Sequence, residues 1–364
     1  MGVKKLVSGG YDHTVRLWDP STGVNERTFE FNESQVNRLR FSKDGRLLAV
    51  CGNPRVAFFD LRSDSEVPVH TLDLHRSNVT DLVFRDSGPH ATTCSEDCFI
   101  HVWDLRVSNP VASLKNDSGV TSVGYGRNTG QVATTDYGRF MKIWDIEQQR
   151  VVGKMSTIND NAMFLNLSYC AKTGLLCTTG STGYAYVCRI TGSFTPGEDI
   201  AKTNIINNNS SKPVSNNKSQ PKGSSGIRRK KRHQWESHMY NIPEEARGYF
   251  EKVAKFRCSN RYVLRCCFSE DGLLVGTVSD NGNVDVWGDE NEPNVLFEDR
   301  WYVNRQVGRH QKWAWDIRFS KDAKYVFSCS SDKRICLWEV SSGDLLREYK
   351  GHQKAVTSID IFST

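Results

Sequence analysis

Short runs of apolar residues recur along the whole chain, as at Val36, Leu39 and Phe41, at Val79, Leu82 and Phe84, and at Ile317 and Phe319. Polar residues fall between them with a period near two, and no helical period is sustained, so the pattern predicts strands and an all-β fold. Turn clusters such as Lys43-Asp44-Gly45 and Glu270-Asp271-Gly272 follow several of these runs and punctuate hairpins. Second strands are predicted at 47–51, 91–95, 131–135, 175–179, 273–279 and 325–330. Each leads through a tight turn into a third strand that ends in an aromatic residue, often with aspartate behind it.

These third-strand ends are Trp18-Asp19, Phe59-Asp60, Trp103-Asp104, Trp144-Asp145, Cys188, Trp287 and Trp338, spaced by 41, 44, 41, 44, 99 and 51 residues. From Trp338 off the end of the chain and back to Trp18 is another 44. A period of about 40–45 residues with four strands per unit is the signature of WD repeats, and a wrap-around of one period is what a closed ring requires. The stretch Gly351–Ile361 opens a repeat without finishing it, while Leu6–Asp19 holds later strands with no opening strand before them. The prediction is a seven-bladed WD40 β-propeller over residues 1–364, closed by the C-terminal strand pairing with the N-terminal blade.

The spacing of 99 places an insertion in blade five, over 193–247. Its composition turns to Asn, Ser, Lys, Gly and Pro, which predicts disorder, and the displaced fourth strand is expected near Gly248–Phe256. Residues 192–233 carry nine Lys and Arg against Glu198 and Asp199, so a segment at +7 accounts for the net +6 and leaves the rest of the chain near −1. The basic balance therefore marks a loop and predicts no obligatory nucleic-acid face on the ring. The run Arg228-Arg229-Lys230-Lys231-Arg232-His233 reads as a docking site for an acidic partner or import receptor, an RNA or acidic-lipid tether, or a solvated charge run.

Three blades share a polar set at fixed spacing: His75, Thr93, Asp97 and Trp103; His310, Ser328, Asp332 and Trp338; and, across the chain ends, His352, Ser8, Asp12 and Trp18. Aspartate accepting from the imidazole, which reaches a hydroxyl that reaches the indole N–H, would give the buried aspartate and the buried indole the partners each needs. Three equivalent copies describe structural pins rather than a hydrolase triad or a metal cluster. Blades lacking the set, with Phe59, Cys188 or Asn281 in place of a member, are expected to be held by apolar packing. Eleven cysteines show no paired CxxC spacing, and no basic-plus-apolar leader stands at Met1, so buried thiols in a reducing, cytoplasmic setting are expected, with no metal and no cofactor. No apolar run approaches the roughly 18 residues of a membrane span. Gly124-Tyr125-Gly126 has no helix to present to a phosphate, and the sequons Asn78-Val79-Thr80 and Asn166-Leu167-Ser168 are silent without secretion.

Function is therefore expected on a surface. Repeat alignment places Gln35, Asn37, Asn78, Thr80, Glu96, Tyr137, Tyr262, Trp313, Trp315 and Tyr11 on one rim of the ring. Trp313 and Trp315 stand where the closing strand has Ala355 and Thr357, and tryptophan and tyrosine are the usual anchors of protein interfaces. The competing reading for Trp315 is that it fills the core or lines the channel.

Gly10-Tyr11-Asp12-His13-Thr14-Val15-Arg16-Leu17-Trp18, Ser34-Gln35-Val36-Asn37, the tryptophans 313 and 315 ahead of Phe319-Ser320, and Arg347–Val356 together resemble the Lst8 family, also called G-protein-beta-subunit-like. The resemblance covers all seven blades. It implies a non-enzymatic subunit of target-of-rapamycin kinase complexes, whose rim grips a helical projection of the kinase domain beside its active-site cleft, stabilises the kinase and shapes substrate access. Gln35, Asn37, Trp313 and Trp315 fall at matching positions. It also implies a cytoplasmic location, on endomembranes through the kinase complex, and the basic hexamer adds a nuclear fraction as an alternative. The insertion and Cys188, which replaces the tryptophan of blade five, depart from the pattern. Two other classes stay open: a substrate receptor of a cullin-based ubiquitin ligase, from Trp103-Asp104-Leu105-Arg106, and a nucleic-acid-associated scaffold using the basic loop.

Overall fold

The computed structural model describes residues 2–31, 34–86, 88–107, 109–125, 130–156, 160–190, 249–288 and 304–363. Among the described residues, 28 strands form seven four-stranded antiparallel sheets. The innermost strands of successive sheets contact one another in turn, from Val356–Ser363 through Arg38–Phe41, Val79–Phe84, Val120–Tyr125, Phe164–Cys170 and Val263–Phe268 to Ala314–Phe319, and this last strand meets Val356–Ser363 again. The ring is closed, and its seven sheets are the blades of an all-β propeller.

Burial explains why the strands stack this way. Second and third strands are buried on both faces, as in Leu47–Cys51 and Phe99–Asp104, whereas outer strands such as Pro110–Lys115 alternate between buried and exposed residues. Each strand thus has two faces to cover, and a neighbouring blade covers one of them. The apolar core accordingly divides into seven clusters, one per blade interface. Val7, Val15, Leu17 and Phe29 of blade one pack on Val36, Leu39 and Phe59 of blade two. At the seam between blades seven and one, Phe327, Leu337 and Tyr349 pack on Leu6, Trp18 and Ile359.

Blade one is assembled from both ends of the chain. Val356–Ser363 pairs antiparallel with Val3–Gly10, matching Ser8 with Ile359 and Leu6 with Ile361. Gly10 is required there, because a Cβ at that position would lie 2.1 Å from the Ala355 carbonyl oxygen. His352 closes the blade through polar contacts. Its Nδ1 lies 2.9 Å from Asp12 Oδ2, its Nε2 lies 2.7 Å from Ser8 Oγ, and Trp18 Nε1 donates to that same hydroxyl over 2.8 Å. Blades three and seven repeat the chain through His75, Thr93, Asp97 and Trp103 and through His310, Ser328, Asp332 and Trp338. The indole only donates and the carboxylate only accepts, so in the neutral ring the proton sits on Nδ1 and the hydroxyl donates to Nε2. Burial pushes the three aspartates upward, and their bonds to histidine outweigh it, holding them well below the usual carboxylate range.

The remaining blades correct one expectation. Apolar packing alone does not hold them all. Phe59 packs on Phe29 at a centroid distance of 5.1 Å in blade two, whereas in blade five Cys188 Sγ lies 3.6 Å from Met155 Sδ beside a polar pin, in which Asp160, in the histidine position, accepts from the Tyr186 hydroxyl over 3.2 Å and from Lys255 Nζ over 2.8 Å. Blades four and six keep the indole–hydroxyl bond without histidine, from Trp144 to Thr134 and from Trp287 to Thr277. In blade four, Asn116 stands in the histidine position. It donates to Asp136 over 3.0 Å and accepts from buried Lys142 over 2.5 Å, so a neutral amide and an ammonium replace the imidazole. Blade six has Ser259 there, and Asp285 in the position of Lys142. Burial pushes the Asp285 carboxyl up to about 7. Such a group favours folding in its neutral form, so its contribution is complete below pH 4 and is lost as pH rises through 7. Asp285→Asn is expected to raise the unfolding free energy at pH 8 by about 1–3 kcal/mol, with the gain vanishing near pH 4, as measured by denaturant titration.

The fourth strand of blade five is Phe250–Arg257, paired with Tyr184–Ile190 across the insertion. The basic hexamer 228–233 and most of 193–247 lie outside the described residues.

Candidate functional site

One end of the ring carries the candidate rim. The same backbone hydrogen bond recurs there in blade after blade, from the residue after the second strand to the residue before the innermost strand. Tyr11 donates to Ala355 over 2.9 Å, Glu96 to Asn78 over 3.1 Å, Tyr137 to Gly119 over 3.0 Å, Asp280 to Tyr262 over 3.1 Å and Ser331 to Trp313 over 2.9 Å. This register brings Tyr11, Glu96, Tyr137, Tyr262 and Trp313 to a common face. Blades seven, one, two, three and four are consecutive in the ring, so most of these residues form one arc.

Two aromatic groups mark the arc. Trp313 is 44 % exposed, and its ring centroid lies 5.5 Å from that of Trp315, which lies 6.5 Å from that of Tyr11. Trp315 is half-buried against the core between blades seven and one, and its Nε1 donates to Ser331 Oγ over 2.7 Å. It thus serves both the core and the rim, and it props Trp313 outward. Across the arc, Glu96 accepts from Asn78 Nδ2 over 2.8 Å and from the Tyr137 hydroxyl over 3.2 Å. Burial and then the Glu96 carboxylate push the Tyr137 phenol up to about 12, so Tyr137 presents a neutral ring at physiological pH.

Between these groups, Gln35 is half-buried and exposes part of its side chain. Asn37 is committed elsewhere: its amide donates to the Gly52 and Val79 carbonyls, both over 3.3 Å, and ties blade two to blade three. Thr80 does the same one blade on, donating to the Val120 carbonyl over 2.7 Å. Tyr262, at the end of the arc on blade six, lies under the Arg261 guanidinium at 5.5 Å. The tetrad hydroxyls do not reach solvent, since Ser8, Thr93 and Ser328 are fully buried and each accepts from an indole. A nucleophile in that position meets no substrate. Arg106, the residue that raised the ubiquitin-ligase alternative, folds back on Asp104 through Nε at 2.9 Å and Nη2 at 2.6 Å. Arg62 meets Asp60 in the same way in blade two, so Asp-Leu-Arg in this chain is a turn lock.

A second polar assembly escaped the sequence reading. The third and fifth residues of the innermost strands, counted in blade two from Val36, turn to the axis of the ring, where Arg38 donates to Asp81 of blade three and to Asp316 of blade seven, both over 2.8 Å. Arg318 bonds Asp316 over 3.1 Å and Asp360 over 2.9 Å, Arg40 meets Asp81 at 3.3 Å, and Arg265 meets Asp316 at 3.9 Å. Ser122 donates to Asp81 over 2.6 Å and Asn166 donates to Ser122 over 3.3 Å, continuing the network through blades four and five. Burial pushes Asp81 upward, and the guanidiniums of Arg38, Arg40 and Arg265 outweigh it, holding the carboxyl at about 2. Burial, with Arg38 and Arg318 alongside, draws Arg40 down to about 9. Aligning the seven innermost strands on their third and fifth positions is the signal that would have found this ring.

Fold and repeats define the class: a WD-repeat β-propeller. Residues 302–339 match the domain described as WD domain, G-beta repeat, and residues 4–188 match the propeller described as Nucleolar protein 10-like, N-terminal domain. Over its whole length the chain is similar to the target of rapamycin complex subunit wat1 of Schizosaccharomyces pombe, with 30 % identity covering 97 % of this chain and 94 % of that protein. It is 28 % identical to the target of rapamycin complex subunit LST8 of Saccharomyces cerevisiae, over 97 % of both chains, and 27 % identical to that of Mus musculus, over 97 % of this chain and 93 % of that one. The chain belongs to the Lst8 family.

Proposed function

We propose that this protein is a non-catalytic subunit of a target-of-rapamycin kinase complex, and that the arc from Trp313 to Tyr137 binds and stabilises the kinase domain near its active site. The observation that carries the reading is the Trp313–Trp315–Tyr11 group, a half-exposed aromatic cluster in a chain whose full-length relatives bear the name of target of rapamycin complex subunits. Rigid aromatic anchors on a fixed scaffold lose little side-chain entropy on docking, and flanking polar groups such as Glu96 and Gln35 fix orientation. Carried by that kinase, the protein would be cytoplasmic and would reach endomembranes as part of the complex; the basic hexamer 228–233 would add an acidic partner or an import receptor.

Affinity purification of the full chain from its own cells, followed by mass spectrometry, tests this. A very large protein kinase of the lipid-kinase-like class is expected in stoichiometric yield. Recovery of a cullin adaptor in its place, or recovery that depends on intact RNA, would sink the proposal.

A further inference from the structure

At the end of the ring opposite the rim, where the innermost strands finish, the axis opens into a cavity of 490 Å³. Its walls include Arg40 and Arg318 from the polar ring, Arg85 just beyond the innermost strand of blade three, and the rings of Phe84, Tyr125 and Tyr169. Charge does not balance here. Four guanidiniums, of Arg38, Arg40, Arg265 and Arg318, face three carboxylates, of Asp81, Asp316 and Asp360. The carboxylate that lines the cavity itself, Asp360, is already occupied by the Phe41 N–H over 2.8 Å and by Arg318 Nε over 2.9 Å. Asp86, also at the mouth, is exposed and turned 3.6 Å from Lys43. Arg85 adds a further cation. Two buried guanidinium nitrogens on this wall, Arg318 Nη2 and Arg85 Nε, have no hydrogen-bond partner among the described residues, and Arg40 reaches its partners only over 3.3 Å.

We infer that this cavity is a binding site for a small phosphate-bearing anion. An unpaired buried guanidinium N–H is costly, and an anion that accepts from both orphaned donors would relieve that cost and neutralise the excess charge. Guanidinium N–H groups are good donors to phosphate oxygens, and guanidiniums from blades two, three and seven line this one space. The rings of Phe84, Tyr125 and Tyr169 supply an apolar wall for the rest of an organic phosphate beside the polar one. The site is independent of the rim, because the two occupy opposite ends of the innermost strands.

Titration calorimetry of the full chain with sodium pyrophosphate tests the inference, with citrate as a polyanion of different geometry. One pyrophosphate is expected per chain, bound more tightly than citrate. Arg40→Gln combined with Arg85→Gln is expected to weaken binding roughly tenfold or more while far-ultraviolet circular dichroism is unchanged. Arg85 is partly exposed, so Arg85→Gln alone covers the case in which the double variant does not fold, and it is expected to weaken binding severalfold. Absence of binding at millimolar pyrophosphate, equal affinity for citrate, or affinity unchanged in a folded variant would overturn it.

Discussion

Replacing Arg38 with alanine is expected to lower the unfolding free energy by about 3–5 kcal/mol, among the largest losses available to a single substitution in this chain. Arg38 is 1 % exposed, and its guanidinium, from blade two, is shared between two fully buried carboxylates on blades three and seven. Removing it takes from Asp81 and Asp316 the guanidinium they share, leaves them to the longer contacts of Arg40, Arg318 and Arg265 in a space where ionised groups cannot recover their hydration, and opens a cavity. Arg38→Lys is expected to recover only part of the loss, because a point charge cannot address two carboxylates with separate donors. The sign of the pH dependence follows from Asp81, held at about 2 in the folded protein. A carboxyl depressed in this way contributes stability that is complete above about pH 4 and is lost as pH falls toward 2, so the gap between the parent and Arg38→Ala should narrow on acidification. Denaturant unfolding at pH 7 and pH 3 measures both. A loss below about 1 kcal/mol at pH 7 would show that the axial ring is a passive filling.

Trp313→Ala is expected to weaken association with the kinase by at least 2 kcal/mol, roughly thirtyfold, while the ring stays folded. Trp313 is exposed and its indole makes no hydrogen bond among the described residues, so its truncation removes contact area from the rim without opening the core. Trp315 is a different case, since its indole is fixed to Ser331 and its ring leans on the interface between blades seven and one. Adding Trp315→Ala should abolish recovery of the kinase and also lower the melting temperature. Quantitative co-purification, with the thermal transition measured on the same variants, separates the two effects. Undiminished recovery with both tryptophans removed would move the binding surface away from blade seven.

Much of this was legible in the sequence. The repeat length, the wrap-around of one period and the terminal half-repeats describe the closed ring because each depends only on the order of strands. The tetrads were legible because three copies at one spacing constrain one another. Trp315 was not decided, since a side chain two residues from Trp313 on an alternating strand points inward or outward according to the twist at the strand's start, and here it does part of both. The axial ring was missed for a related reason. Arg38, Arg40, Arg265 and Arg318 interrupt apolar strands in the way a solvated face would, and only closure of the ring turns those positions toward one another. Blade four hid its pin because Asn116 and Lys142 bear no resemblance to histidine, although they fill its place.

Blade one also has a history during synthesis. Its second, third and fourth strands, Val3–Gly10, Thr14–Trp18 and Asn25–Glu30, are synthesised long before their partner Val356–Ser363. At about 5–20 residues per second the interval is roughly 20–70 s, during which Val3–Gly10 presents an unpaired edge and Ser8 and Trp18 lack the imidazole that joins their network. The contacts that close the ring span nearly the entire chain, so their formation is slow by topology as well as late in time. A nascent chain of this kind carries an open sheet edge through most of its synthesis, and such an edge is a template for pairing with other chains until the final strand covers it.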